Sequence, residues 1–152
     1  MRAPLDMLVR VAIVFLGMAA GTLAFAQGMT ATQREALTAA EVWLARVDKQ
    51  QYADAWSAAA EPFRTSVTKQ AFAEGAPKLR KDFGKVAARK GEKLAFVGEH
   101  PDHADPTGAA KPGMQIAIHF DTTFTSKKKA TEEVTMLLES DGIWRPAGYY
   151  IQ

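Results

Sequence analysis

Residues 114–151 read MQIAIHFDTTFTSKKKATEEVTMLLESDGIWRPAGYYI, and the alternation within them decides the fold. Met114, Ile116, Ile118, Phe120 and Phe124 share one face of an extended chain, the period of two that marks a strand covered on one side. Asp141-Gly142 suits a two-residue type I′ turn, because Gly accepts positive φ and Asp tolerates it. Counting back through such a turn pairs Leu138 with Arg145, Met136 with Ala147 and Val134 with Tyr149. The other face then gathers Leu137, Thr135, Trp144, Pro146, Gly148 and Tyr150. Pro146 has no N–H for a ladder, which favours an edge position for the last strand. Apolar side chains on both faces of this hairpin make it suited to cover on two sides, and to a homodimer through the sheet.

Upstream, Lys93–His100 (KLAFVGEH) reads as the first strand, and residues 101–113, with prolines at 101, 106 and 112, read as loop. Four antiparallel strands result. Before them the period changes to that of helices. Leu37, Ala40, Trp43, Leu44 and Val47 make one apolar stripe at i, i+3, i+4 spacing. Thr30 or Thr32 can cap this helix, and Thr32 with Glu35 has the capping-box spacing. A second short helix carries Tyr52, Trp56 and Phe63 and is expected to end at Pro62. Thr68 caps a third, with Phe72, Leu79 and Phe83 inward, Pro77 as a kink or division, and Gly84 as its stop. Helices first and a meander afterwards is an α+β plan: three N-terminal helices packed on a curved four-stranded antiparallel sheet.

The first 26 residues read as a secretory signal. Arg2 and Arg10 supply the basic region, Val11–Leu23 is an apolar core of 13 residues, and Ala24-Phe25-Ala26 is a cleavage site. That core is shorter than the ~20 residues of a membrane span. Residues 27–152 form one domain with no transmembrane span after cleavage. Export without any cysteine suits the bacterial periplasm, and it excludes disulfides, thiolate metal sites and a cysteine nucleophile. Loss of Arg2, Arg10 and Asp6 leaves 17 basic and 16 acidic residues, so net charge selects no partner.

The most specific ending is Trp144-Arg145-Pro146-Ala147-Gly148-Tyr149. Together with Trp43-Leu44, Asp48, Tyr52, Trp56, Phe63-Arg64, Val67, Arg80, Gly84, Arg89, Pro112-Gly113, Phe120, Phe124, Glu133 and Asp141-Gly142, it resembles a family of small exported bacterial proteins known as a domain of unknown function. The resemblance covers nearly the whole chain after the signal and implies a cystatin-like or NTF2-like fold. It implies no activity. Pro146 departs from the β-branched residue expected there.

Candidate chemistry is sparse. His119 and Asp121 share one strand face and could form an acid/base pair inside an NTF2-like cone; the alternation equally predicts a solvated sheet face. His100, Asp102, His103 and Asp105 are the one His/carboxylate cluster, but their spacing matches no recognised metal site. No metal and no cofactor are expected. Glu132 and Glu133 could pair with Arg145 across strands, and Arg145 could instead enter a cavity and clamp a carboxylate. Trp43, Trp56, Arg145 and Tyr149 are the ligand-binding candidates, although Trp43 on its stripe reads first as a core anchor. From Arg64 to Lys93 nine residues are basic and three acidic. Lys78, Arg80, Lys81, Lys85, Arg89 and Lys90 could there form an anion patch, or simply a solvated helix face. Nothing points to nucleic acid, for which aromatic interleaving and a binding motif are lacking. The leading expectation is a non-enzymatic periplasmic module binding a small ligand or a protein partner. An enzyme using His119 and Asp121, and association of the basic segment with anionic surfaces, are the alternatives.

Overall fold

The structure is a computed structural model and describes residues 28–97, 110–126 and 128–152. Residues 1–26, expected to be a secretory signal, and the cluster His100, Asp102, His103 and Asp105 lie outside the described residues. Four helices come first: α1 (Ala31–Asp48), α2 (Tyr52–Ser57), α3 (Glu61–Ser66) and α4 (Lys69–Arg80). Four strands follow: β1 (Val86–Phe96), β2 (Gln115–Phe124), β3 (Lys129–Leu138) and β4 (Trp144–Ile151). They form one antiparallel sheet in the order β1-β2-β3-β4.

The α+β plan is as expected, with four helices instead of three. The extra one arises at Pro62, which stands in the first turn of α3 and does not end a helix. A first-turn N–H has no partner inside the helix, so proline loses nothing there. At the start of α1, Thr30 is the cap. Gln33 N donates to Thr30 Oγ1 at 3.2 Å and Thr30 N donates to Gln33 Oε1 at 3.0 Å. The capping box therefore sits two residues earlier than Thr32–Glu35, and Thr32 is buried instead. Helix α4 continues through Pro77 to Arg80. Phe83 falls in the turn beyond it, Gly84 takes φ +80°, and β1 opens at Val86, seven residues before the expected Lys93. Leu79, expected inward, is exposed.

The core lies between α1 and the sheet. Ala36, Ala40, Trp43, Leu44 and Val47 meet Ile116, Ile118, Phe120, Val134 and Met136, all at most 1% exposed. Trp43 is the largest of these. Its ring stands edge-on 5.5 Å from Tyr149, and its Nε1–H donates to Ala55 O at 2.8 Å, which fastens α2 to α1. Truncating such a side chain costs about 3–5 kcal/mol. Where α1 crosses β1 the approach is close: a Cβ on Gly91 would lie 3.0 Å from Leu37 Cδ1.

The final hairpin departs from its expected register. Glu139 N donates to Ile143 O at 3.1 Å, Gly142 N donates to Glu139 O at 3.0 Å, and Gly142 takes φ +78°. The loop is thus three residues, Ser140–Gly142, with glycine in the left-handed position such loops require. The additional residue shifts the pairing to Leu138 with Trp144, Leu137 with Arg145 and Met136 with Pro146. An irregularity beside Ala147 then restores Val134 opposite Tyr149. A bulge places two residues against one and changes which face the following side chains take. Trp144, Pro146, Tyr149 and Ile151 consequently all turn toward the helices. Pro146 does occupy an edge strand, and Ala60 N donates to its carbonyl at 2.9 Å.

Candidate functional site

Six residues from six elements converge at the open end of this core. Asp48 is the last residue of α1 and Arg80 the last of α4; Arg89, Thr122, Glu132 and Tyr149 come from the four strands. Strand parity explains the strand members. Thr122 lies two residues beyond Phe120, and Glu132 two before Val134, so both face the helices.

Glu132 is fully buried. Arg89 Nε donates to its Oε2 at 2.7 Å, Thr122 Oγ1 donates to the same oxygen at 2.6 Å, and the Tyr149 hydroxyl donates to Oε1 at 2.6 Å. Arg89 also reaches Asp48, with Nη1 to Oδ2 at 2.6 Å and Nη2 to Oδ1 at 3.0 Å. Arg80 Nη2 donates to Asp48 Oδ1 at 2.7 Å and stands 3.7 Å from Glu132 Oε1. Two guanidiniums thus cancel two carboxylates, the condition under which such charges can leave water. Arg80 lies over the Phe124 ring, 5.9 Å from its centroid, and its Nε has no hydrogen-bond partner among the described residues.

The environment fixes the protonation of the network. Burial alone would raise the Asp48 carboxyl, but hydrogen bonds from Arg89 and Arg80 outweigh it and hold the group below its ordinary value. Burial opposes the charge on Arg89, yet Asp48 and Glu132 more than compensate and raise it. Burial pushes the Tyr149 hydroxyl well above its usual value, with the Glu132 carboxylate adding to the effect. With Tyr149 donating, each of the four carboxylate oxygens of Asp48 and Glu132 accepts at least one hydrogen bond from within the network. Among the described residues no group of three His, Asp or Glu stands within reach of one metal ion.

Two clefts flank α4. The first, of about 240 Å³, is bounded by Asp48, Tyr52, Pro77, Arg80, Lys81 and Lys85, with Val47 and Val86 behind. It is where the network reaches solvent: the Asp48 side chain is 25% exposed and that of Arg80 8%. The second, of about 230 Å³, is apolar and is lined by Phe63, Val67, Phe72, Ala76, Leu79 and Tyr149.

The sequence candidates separate accordingly. Trp43 is sealed in the core. Trp56 is half-buried and donates Nε1–H to Val67 O at 2.7 Å. Tyr149 joins the second cleft to the network. Arg145 enters no cavity and pairs with neither Glu132 nor Glu133. The three-residue loop turns it to the outer sheet face, where it reaches Glu139 Oε2 at 2.7 Å and Asp141 Oδ2 at 2.7 Å. His119 and Asp121 also lie on that outer face, opposite both clefts; His119 Nε2 is 3.3 Å from Glu133 Oε2 and Asp121 is exposed. The same face, the one expected to carry a homodimer, mixes Gln115, Thr123, Thr131 and Thr135 with Leu137 and exposed Tyr150. The anion patch is reduced: Arg80 and Arg89 belong to the network, because α4 ends on the first and the early start of β1 turns the second inward. Lys78, Lys81, Lys85 and Lys90 remain exposed. Sequence reasoning missed Glu132 as a buried group and the pairing of Asp48 with both arginines.

Among the described residues, no helix is long and apolar enough to cross a membrane. Residues 39–149, which contain the whole network, match the family described as "Protein of unknown function (DUF4019)". No curated protein matches the chain. A solved structure from Catenulispora acidiphila is similar over 80% of this chain and 91% of its own, with 11% identity and a TM-score of 0.48.

Proposed function

The chain belongs to the DUF4019 family of proteins of unknown function, and we propose on that premise that it is an exported, periplasmic, non-enzymatic module binding a small ligand. The binding site in this reading is the first cleft, at the end of α1 and α4. The observation that carries it is the coincidence of that cleft with the solvent-facing edge of the ionic network. A rigid, charge-balanced base under a concave surface is the arrangement that holds a ligand without reorganising. A binding role is favoured over catalysis by the state of the polar groups. Every carboxylate oxygen of Asp48 and Glu132 already accepts a hydrogen bond from a neighbouring side chain, and His119 with Asp121 stands across the sheet from either cleft. The helix-on-sheet layout accords with the cystatin-like or NTF2-like assignment, and residues 1–26 with export.

The test is recovery of the protein from its native compartment, followed by mass spectrometry of the intact chain and of whatever co-purifies. The expected result is a chain beginning at Gln27 together with a small molecule lost from the Arg80→Met variant. Full-length chain in the cytoplasm, or a purified protein that carries and binds no small molecule, would overturn the reading.

A further inference from the structure

Resting on that reading, we infer that the ligand of the first cleft is a small anion, a carboxylate or phosphate on an apolar body, held between Lys81 and Lys85. Charge accounting within the cleft leads there. The negative group in its wall, Asp48, receives three hydrogen bonds from Arg80 and Arg89, and the four-residue cluster is neutral. The field in the cleft is therefore set by Lys81 and Lys85. Neither forms an ion pair among the described residues.

Lys81 caps the C-terminus of α4, where a cation also complements the helix dipole. Lys85 has no such explanation, since it lies beyond the helix in the turn before β1. That turn is fixed in place. Lys85 N donates to Thr125 Oγ1 at 3.2 Å, Thr125 N donates to Lys85 O at 2.8 Å, and Ser126 Oγ donates to Phe83 O at 2.7 Å. Gly84 sits inside it at φ +80°, with a Cβ there only 3.0 Å from Thr125 Oγ1. Two ammonium groups thus project from bases that the fold already holds, which lowers the entropy lost on binding.

The remaining walls combine the apolar surfaces of Val47, Pro77, Val86 and the Tyr52 ring with Gly84 and one neutral polar side chain, Gln50. A volume of about 240 Å³ is roughly that of eight waters at ~30 Å³ each, and lies below the ~300 Å³ at which drug-sized pockets begin. It admits an anionic head and one ring or a short chain.

Isothermal titration of the mature chain with phenyl phosphate, inorganic phosphate and benzyl alcohol tests this. Phenyl phosphate is expected to bind more tightly than inorganic phosphate, and benzyl alcohol not at all. Lys81→Gln and Lys85→Gln should each weaken phenyl phosphate about two- to fivefold and together about tenfold, the range for solvent-exposed charge pairs. Added salt should weaken it further. Lys78→Gln, on the same helix outside the cleft, should leave it unchanged, and urea midpoints of all variants confirm that they fold. Absence of phenyl phosphate binding, or binding indifferent to both lysines, overturns the inference. Equal binding of benzyl alcohol overturns the anion while leaving the cleft a small-molecule site. Binding only to vesicles containing phosphatidylglycerol, with no soluble anion taken up, overturns it in favour of a membrane surface.

Discussion

Two groups of arginines and carboxylates sit on opposite faces of one sheet. On the outer face Arg145 reaches Glu139 and Asp141 beside the hairpin loop. Beneath the helices Arg80 and Arg89 reach Asp48 and Glu132. The bond lengths are alike, near 2.7 Å in both. The surroundings differ, and so do the consequences. Asp141 is open to water, so its pair with Arg145 is screened and breaks at small cost. Glu132 is sealed, so any partner removed from it leaves a charge that water cannot reach. Distance alone does not rank ion pairs; the alternative environment of each charge does.

The comparison can be broken most directly at Arg89. Arg89→Ala removes donors from both buried carboxylates and should cost about 3–5 kcal/mol in urea unfolding. A loss below 1 kcal/mol would place the two clusters in the same class. Tyr149→Phe deletes one hydrogen bond to Glu132 and nothing of the ring, so a loss of about 1.5–3 kcal/mol is expected, the range for bonds to charged groups. The pH profile sharpens the contrast further. Folded Asp48 binds a proton less readily than the unfolded chain, whose carboxyl titrates near 3.8. Its contribution is complete above that value and drains away as pH falls through the lowered folded one. Unfolding midpoints followed from pH 6 to pH 2 should therefore fall, and Asp48→Asn should flatten that fall while lowering stability at neutral pH. The smallest effect belongs to Arg145→Ala, about 0–1 kcal/mol and vanishing in high salt.

The same contrast shows what the sequence could and could not disclose. The alternation from Met114 to Phe124 identified β2 and its inner face, and the stripe through Trp43 identified the helix that covers it. Glu132 was equally readable by position, sharing the parity of Val134, Met136 and Leu138. Its charge pointed outward, and only knowledge of two incoming arginines reverses that reading. Asp48, Arg80 and Arg89 could not be joined from sequence because nothing local links a helix end to a strand 41 residues away. Arg145 was misplaced for a different reason. Asp141-Gly142 fits both a two-residue and a three-residue loop, and the pairing shifts by one between them.

The six network residues are drawn from positions 48 to 149 of the chain, so no fragment can hold the network before the helices and all four strands have met. We expect contacts of such long sequence separation to form after the rate-limiting step of folding. Removing Arg89 should then leave the refolding rate nearly unchanged and shorten the lifetime of the folded molecule instead. In this view the buried charges act as a latch: they do not guide the chain to its structure, but they set how long it stays there.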